Sequence, residues 1–328
     1  MTADLVDSFG RIVRDLRIAV TDRCNFRCTY CMPAEGLQWL PREEILSFEE
    51  IERIAALLVR RYGVEGIRLT GGEPTVRAHL PVLVEKLAAL GVDLSMTTNG
   101  TSLRLLAADL RAAGLRRVNV SLDTLHRERF SEMTRRDELD RVLDGIDAAV
   151  EAGFSPVKIN VVIERGVNDG EVLDLAVFGR ERGVEIRFIE FMPLDAQGEW
   201  DRSKVLSQDE IVATIGASFP IERMPARGAA PADRWRYLDG GGTIGVIPTV
   251  THAFCGDCDR VRITADGQFR TCLFAVDEID LRAAVRRGDD DEAIARLIED
   301  AVAAKWAGHQ INQVNFVRPT RSMSQIGG

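Results

Sequence analysis

Gly66-Ile67-Arg68-Leu69-Thr70-Gly71-Gly72-Glu73-Pro74 is a short alternating run that breaks off at a glycine pair and an acid. Ile67 and Leu69 fall on one parity, Arg68 and Thr70 on the other. Successive strand residues face opposite ways, so one face of this segment is apolar and the other polar. The same rhythm recurs on both sides of it. Strands are expected over 16–20, 66–70, 92–97, 117–122, 157–163 and 184–190. Arg17 and Thr21 oppose Leu16, Ile18 and Val20; Ser95 and Thr97 oppose Leu94 and Met96. Asn119 and Ser121 oppose Val118, Val120 and Leu122, and Lys158 and Asn160 oppose Val157, Ile159 and Val161. The sixth strand is less regular, because Arg187 shares parity with Ile189.

Helical spacing separates these runs: Ile51, Ile54, Ala55 and Leu58; Leu103, Leu106 and Leu110; Val142, Leu143, Ile146, Ala149 and Val150. Six such β–α repeats imply an α/β fold with a parallel sheet, doubly wound or curled toward a barrel. Outer helices require the apolar face, so the polar face looks inward. A closed barrel of this kind is normally filled by branched apolar side chains. A polar, cationic interior instead suits a wider barrel around an anionic ligand, and it requires Arg68 and Lys158 to point away from solvent.

After residue 193 the rhythm changes. Residues 194–204 and 224–233 read as loops, and Ser207 is placed to cap a helix over 208–215. Short strands are expected over 235–238, 243–247, 260–264 and 268–273, with Asp266-Gly267 as a hairpin turn. A helix over 291–305 follows, begun by the acidic run Asp289-Asp290-Asp291-Glu292, and then an irregular tail ending in Gly327-Gly328.

The 328 residues, 45% hydrophobic, suffice for a large core. With 51 acidic against 42 basic side chains and a net charge of −9, a global footprint for nucleic acid is missing. Apolar runs such as 54–59 are too short to cross a membrane, and the first residues carry no secretory pattern, so a cytoplasmic protein is expected.

The six cysteines stand in two groups of three. Cys24, Cys28 and Cys31 form a CxxxCxxC motif after the first strand; Cys255, Cys258 and Cys272 form CxxC and a third thiol thirteen residues on. In a reducing compartment such groups bind metal or react rather than pair as disulfides. Three thiolates on a four-iron cluster leave one iron free to bind something else. At the first group zinc lacks an obvious fourth ligand. At the second, His252 supplies one, so spacing leaves zinc and an iron–sulfur cluster evenly matched. Arg260 and Arg262, on one face of a strand beside the group, suit phosphate and tilt the balance to the cluster.

The first motif, with Tyr30 before its last cysteine, resembles the radical S-adenosylmethionine (SAM) superfamily, and Gly71-Gly72-Glu73-Pro74 looks like that superfamily's loop for the SAM aminocarboxyl group. Together with the second cysteine group, the Arg-x-Arg pair and the terminal Gly-Gly, the chain resembles the GTP 3′,8-cyclases of molybdenum cofactor biosynthesis from about Arg17 to Gly328. The resemblance implies an incomplete (β/α)6 TIM-like barrel over residues 1–193 and a small C-terminal α+β region over 194–328 that carries the auxiliary cluster and the tail. It implies two 4Fe-4S clusters on the six cysteines, with SAM held by Tyr30, Gly72, Glu73, Ser121 and Met192. GTP falls to Arg17, Arg68, Thr97, Lys158, Arg260, Val261 and Arg262, and Gly327 and Gly328 assist the chemistry.

By the same resemblance, a flavodoxin or ferredoxin reduces the first cluster, SAM is cleaved to a 5′-deoxyadenosyl radical, and that radical takes hydrogen from C3′ of GTP. Attack on C8 and reduction give 3′,8-cyclo-7,8-dihydro-GTP, the substrate of cyclic pyranopterin monophosphate synthase. A homodimer is implied as well. Asp259 departs from the asparagine of many relatives. Three alternatives share parts of this pattern: another radical SAM enzyme with an auxiliary cluster, a two-cluster electron-transfer protein, and a zinc-stabilised nucleotide-binding module. His79 and His309 read as structural or surface residues.

Overall fold

The computed structural model describes residues 3–195, 198–314 and 316–327. Six parallel strands lie side by side in chain order: β1 (Asp15–Ala19), β2 (Gly66–Thr70), β3 (Asp93–Thr98), β4 (Arg117–Ser121), β5 (Val157–Ile163) and β6 (Glu185–Glu190). The expected strands match these within one residue at each end; β2 and β5 coincide with them. Helices α1 (Phe48–Tyr62), α2 (Leu80–Ala88), α3 (Leu103–Ala112), α4 (Arg127–Thr134), α5 (Leu139–Glu151) and α6 (Val172–Arg182) connect them.

The apolar strand parity packs under these helices. Leu16, Ile18, Ile67, Leu69, Val118, Val120, Ile159 and Val161 share one core with Ile51, Ile54 and Leu58 of α1 and Val142 and Ile146 of α5. Each such side chain, fully buried, contributes about 1.5–3 kcal/mol. That term holds the helices outside and leaves the polar parity facing in. A capping box also fixes the start of α1: Ser47 accepts from the Glu50 backbone N–H while the Glu50 carboxylate accepts from that of Ser47.

The C-terminal region does not form a separate layer. Its strands β7 (Ile221–Arg223), β8 (Asp233–Tyr237) and β9 (Thr243–Ile247) form a meander whose last member pairs in parallel with β6. At the opposite edge β10 (Arg260–Ile263) pairs in parallel with β1, followed by antiparallel β11 (Gln268–Arg270) and β12 (Ile279–Asp280). The result is one twelve-stranded sheet of order β12-β11-β10-β1-β2-β3-β4-β5-β6-β9-β8-β7. It curls without closing: among the described residues no ladder joins β12 to β7. The edge strands are only two and three residues long, which limits the raw edge each presents.

Gly267 at φ +80° makes the expected turn between β10 and β11. The fourth expected strand of this region ends at Arg270, three residues early, because the Arg270 guanidinium turns back to Glu278 and the Ala275 carbonyl. Helix α7 (Gln208–Gly216) starts with a Ser207–Glu210 capping box. Helices α8 (Leu281–Arg287) and α9 (Asp291–Ala303) follow, the latter capped by Asp290 out of the acidic run. The tail is not wholly irregular: Ser322 and Gln325 form a capping box at a short helix, α10 (Met323–Ile326).

Candidate active site

One cavity opens where the parallel strands end and is bordered by both cysteine groups. Strand register stacks the inward residues in rows. Arg262, Arg17, Arg68 and Ser95 lie abreast in one row; Thr97, Asn119 and Lys158 form the next, and Ser121, Asn160 and Arg187 the one above. Arg17, Arg68, Thr97, Ser121, Met192, Arg260 and Arg262 line the cavity. Lys158 lies beneath the lining, 4% exposed. Neither Arg68 nor Lys158 points into solvent, as the inward reading requires. On the sixth strand Arg187 and Ile189 both face the cavity, so their shared parity is an apolar residue turned inward rather than a change of face.

This wall is short of counterions. Burial and then Arg17 push the Arg68 guanidinium below its ordinary value, although it stays charged. Burial, followed by Arg187 and Arg117, pushes the Lys158 ammonium down to about 7, with Glu185 opposing. Arg17 Nε, Arg260 Nη2, Thr70 Oγ1, Asn119 Nδ2 and Asn160 Oδ1 are buried without a hydrogen-bond partner. Unpaired buried groups of this kind are costly unless a ligand satisfies them. The two guanidinium nitrogens, the Asn119 amide nitrogen and the Thr70 hydroxyl offer donors to an anion, whereas the Asn160 oxygen needs a donor.

At one side of the cavity, Cys24, Cys28 and Cys31 line the wall with Gly71, Gly72 and Glu73. The glycine loop is stitched to the segment before Cys24: Gly72 N–H donates to Thr21 O at 2.8 Å and Glu73 N–H to Arg23 O at 2.8 Å. Glu73, 1% exposed, accepts from Thr75 N–H, both the Thr75 and Thr98 hydroxyls, and Asn99 N–H. It organises the loop as well as facing the cavity. Tyr30 donates to Asp123 Oδ2 at 2.8 Å, and burial raises the Asp123 carboxyl to about 6. Asp123 was not foreseen, although it continues the parity of Asn119 and Ser121 one step past the strand.

Cys255, Cys258 and Cys272 line the other side with Arg260 and Arg262. Lys305, 3% exposed, donates to the carbonyls of Cys258 and Arg260 at 2.9 and 3.0 Å. Burial works to raise the Cys258 thiol, but Arg260 and Lys305 outweigh it and hold it below its usual value. Val261 sits in the core with 0% exposure, so only its backbone faces the strand's ligand side. Asp259 does not line the cavity; its carbonyl accepts from Arg14 N–H. The histidines take different places. His252 is exposed beside Thr251 and is not in the lining. His309 is in it, its Nε2 2.9 Å from the Thr249 carbonyl oxygen and its ring against Phe274.

The tail returns to the same place. Gly327 adopts φ +78°, where an added Cβ would meet Thr70 Oγ1 at 2.5 Å, and its carbonyl accepts from Arg262 Nη1 at 2.5 Å. Gly328 lies outside the described residues.

The two cysteine groups are the candidate metal ligands. All six are free thiols. Burial pushes Cys24 up to about 11 and Cys31 to about 12, so they would need a cation to ionise at neutral pH. In a four-iron cluster each of three thiolates takes a different iron, and three cysteines in each group fit that ligand set.

The Lys158 value has a measurable consequence. A bound polyanion favours the ammonium, so above pH 7 binding must bring in a proton. Affinity for inorganic tripolyphosphate is expected to fall by up to about tenfold per pH unit from pH 7.5 to 9, with proton uptake visible by calorimetry in buffers of different ionisation enthalpy. A flat profile would place Lys158 outside the ligand's reach.

Comparison with known proteins follows the same lines. Residues 18–179 match the Radical SAM superfamily and residues 184–311 match Molybdenum Cofactor Synthesis C. A GTP 3′,8-cyclase from Streptomyces coelicolor is 50% identical over 99% of this chain and 96% of its own. GTP 3′,8-cyclase 2 of Mycobacterium tuberculosis is 48% identical over 100% of this chain and 93% of its own. Among solved structures, Streptococcus suis SuiB bound to S-adenosylmethionine superposes with a TM-score of 0.61 at 14% identity, over 88% of this chain and 68% of that one. Native anSMEcpe with bound AdoMet gives 0.58 at 14% identity, over 88% and 81%. At that identity these two speak for the fold, an open α/β barrel. The full-length identities carry the assignment: this chain belongs to the GTP 3′,8-cyclase family of the radical SAM superfamily.

Proposed function

We propose that this chain is a cytoplasmic GTP 3′,8-cyclase that carries two 4Fe-4S clusters and uses SAM. The observation that supports it best is one cavity bordered by two cysteine triplets, with a buried cationic wall between them whose Arg17 Nε and Arg260 Nη2 have no hydrogen-bond partner. When bound, the first cluster and SAM supply a hydrogen-abstracting carbon radical by one-electron cleavage. A low-potential donor of flavodoxin or ferredoxin type would deliver that electron, and cyclic pyranopterin monophosphate synthase would take the product.

The chain's own part is placement and charge. Cys24, Cys28 and Cys31 would hold the first cluster, and Cys255, Cys258 and Cys272 the second. The Gly72 backbone and Ser121, with Met192 and Tyr30, would seat SAM, in a loop that Glu73 keeps fixed through its four donors. Arg17, Arg260 and Arg262, grouped by register beside the second triplet, would take the triphosphate with Arg68, Thr97 and Lys158. Fixing that end of GTP holds the ribose at a set distance from the radical source, which is a proximity effect. The Gly327 carbonyl on Arg262 brings the tail to the same arginine.

The test is anaerobic turnover of cluster-loaded protein with SAM, a reductant and GTP deuterated at C3′. Deuterium in the 5′-deoxyadenosine is expected. Unlabelled 5′-deoxyadenosine would remove GTP as the hydrogen donor and leave the radical SAM assignment standing.

A further inference from the structure

Arg321 stands outside every cavity-lining set named so far, yet it joins three parts of the site. Its Nη1 and Nη2 donate to Asp266 Oδ1 and Oδ2 at 3.1 and 2.8 Å, and its Nε to Glu278 Oε2 at 3.0 Å. Asp266 belongs to the β10–β11 turn, where it also accepts from Thr264 Oγ1 at 2.5 Å. Glu278 closes the loop that follows Cys272 and is shared with Arg270, which is 2% exposed and also holds the Ala275 carbonyl. A planar guanidinium bound forkwise to one carboxylate and singly to a second is held in one geometry. Immediately after Arg321 comes α10, whose Met323 packs against the same small apolar cluster around Phe274 that Cys272 and Leu273 border. At the far end of α10, Gly327 reaches Arg262.

We propose that Arg321 is a positioning residue that seats the tail helix over the cavity and ties it to the Cys272 loop, so that tail and loop order as one unit. Arg318 provides the contrast. It anchors the earlier part of the tail to Asp195 and bonds neither Asp266 nor Glu278, although its neighbour Phe316 packs on Phe274 of the Cys272 loop. The turnover part of the test below rests on the cyclase reading; the exchange part does not.

The experiment is hydrogen–deuterium exchange, read by mass spectrometry, on cluster-loaded protein without GTP, for the parent chain, Arg321→Gln, Arg321→Lys and Arg318→Gln. For Arg321→Gln, amides of residues 271–279 and 322–327 are expected to exchange at least about tenfold faster, with α1–α6 unchanged as the control for folding. Arg321→Lys falls between, since an ammonium replaces the fork with a point charge. Arg318→Gln loosens residues 316–320 chiefly, with a smaller effect on 271–279 through the Phe316–Phe274 contact. With GTP and SAM supplied, Arg321→Gln lowers cyclised nucleotide per 5′-deoxyadenosine by about tenfold while KM for SAM stays within about twofold. A tail that loosens while residues 271–279 stay protected would overturn the coupling. Equal loosening of that loop by Arg318→Gln, or no change in Arg321→Gln, would remove Arg321 from the role. Faster exchange with an unchanged product ratio would reduce it to an anchor. A parent chain that makes no cyclised nucleotide would count against the cyclase reading and leave the exchange result to stand.

Discussion

Replacing Gly72 with alanine is expected to cost the protein its first cluster and its turnover together. A Cβ there would lie 2.4 Å from Arg23 O, 2.5 Å from Asp22 O and 2.6 Å from Arg23 C. All three atoms are backbone, and none belongs to a flexible side chain that swings aside. The same segment is held by two backbone hydrogen bonds of 2.8 Å, so relief requires prying the loop from residues 21–23. Those residues lead directly into Cys24, and Glu73 follows Gly72. The displacement therefore reaches a thiol and the loop carboxylate at once. Iron in anaerobically reconstituted G72A should fall from about eight to about four per chain, and turnover by about a hundredfold or more. Gly256, between Cys255 and Cys258, is the control: an added Cβ there meets nothing within 4 Å. G256A should keep its iron and stay within about twofold of the parent activity. Full iron in G72A would show that the loop yields more than its backbone contacts imply.

Lys158→Met should move stability and function in opposite directions. Lys158 is buried among Arg187, Arg117 and Arg68, with Glu185 its opposing charge. Methionine keeps the length and removes an ammonium that burial and three neighbouring guanidinium groups disfavour, so a gain of about 1 kcal/mol or more is expected. The sign with pH follows from the folded-state value of about 7 against an ordinary 10.5. The unfolded chain holds the proton more tightly, so stability of the parent rises with pH between those values. The advantage of K158M is therefore largest near pH 6 and shrinks toward pH 10. Its affinity for GTP should nonetheless fall by about a hundredfold, the cost of losing one buried charged partner to a phosphate. Denaturant titrations of ligand-free protein at pH 6 and 9, beside KM for GTP, read both. A destabilised K158M at pH 6 would mean that Lys158 has a structural partner that outweighs its burial.

The barrel was legible because its signal is local. Alternation in segments such as 66–70 and 157–163 records both strand and facing, and the inward cations could be named from parity alone. The cysteine spacings are equally local. What escaped depends on distant packing. Lys305 reaches Cys258 from beyond α9, and nothing near it in sequence marks it. His309 meets the cavity by way of Thr249, sixty residues away in the chain. His252 has attractive spacing to Cys255, yet the chain turns it to solvent. Arg321 looks like any tail arginine until the β10–β11 turn brings Asp266 and Glu278 to it.

The two late three-stranded segments that finish the sheet also set an order on the protein's birth. Synthesis delivers β1 to β6 first, each with its helix, while the partners of β1 and β6 are still unmade. β6 waits for β9, more than fifty residues on; β1 waits for β10, some two hundred and forty residues after it. During that interval the nascent chain presents two parallel rims with open backbone groups, the kind of surface that recruits other strands. The first cysteine triplet is already made then, but its cavity lacks the wall that β10 supplies. Until β10 is in place, the cavity beside that triplet has only one of the two cysteine-bearing walls that border it.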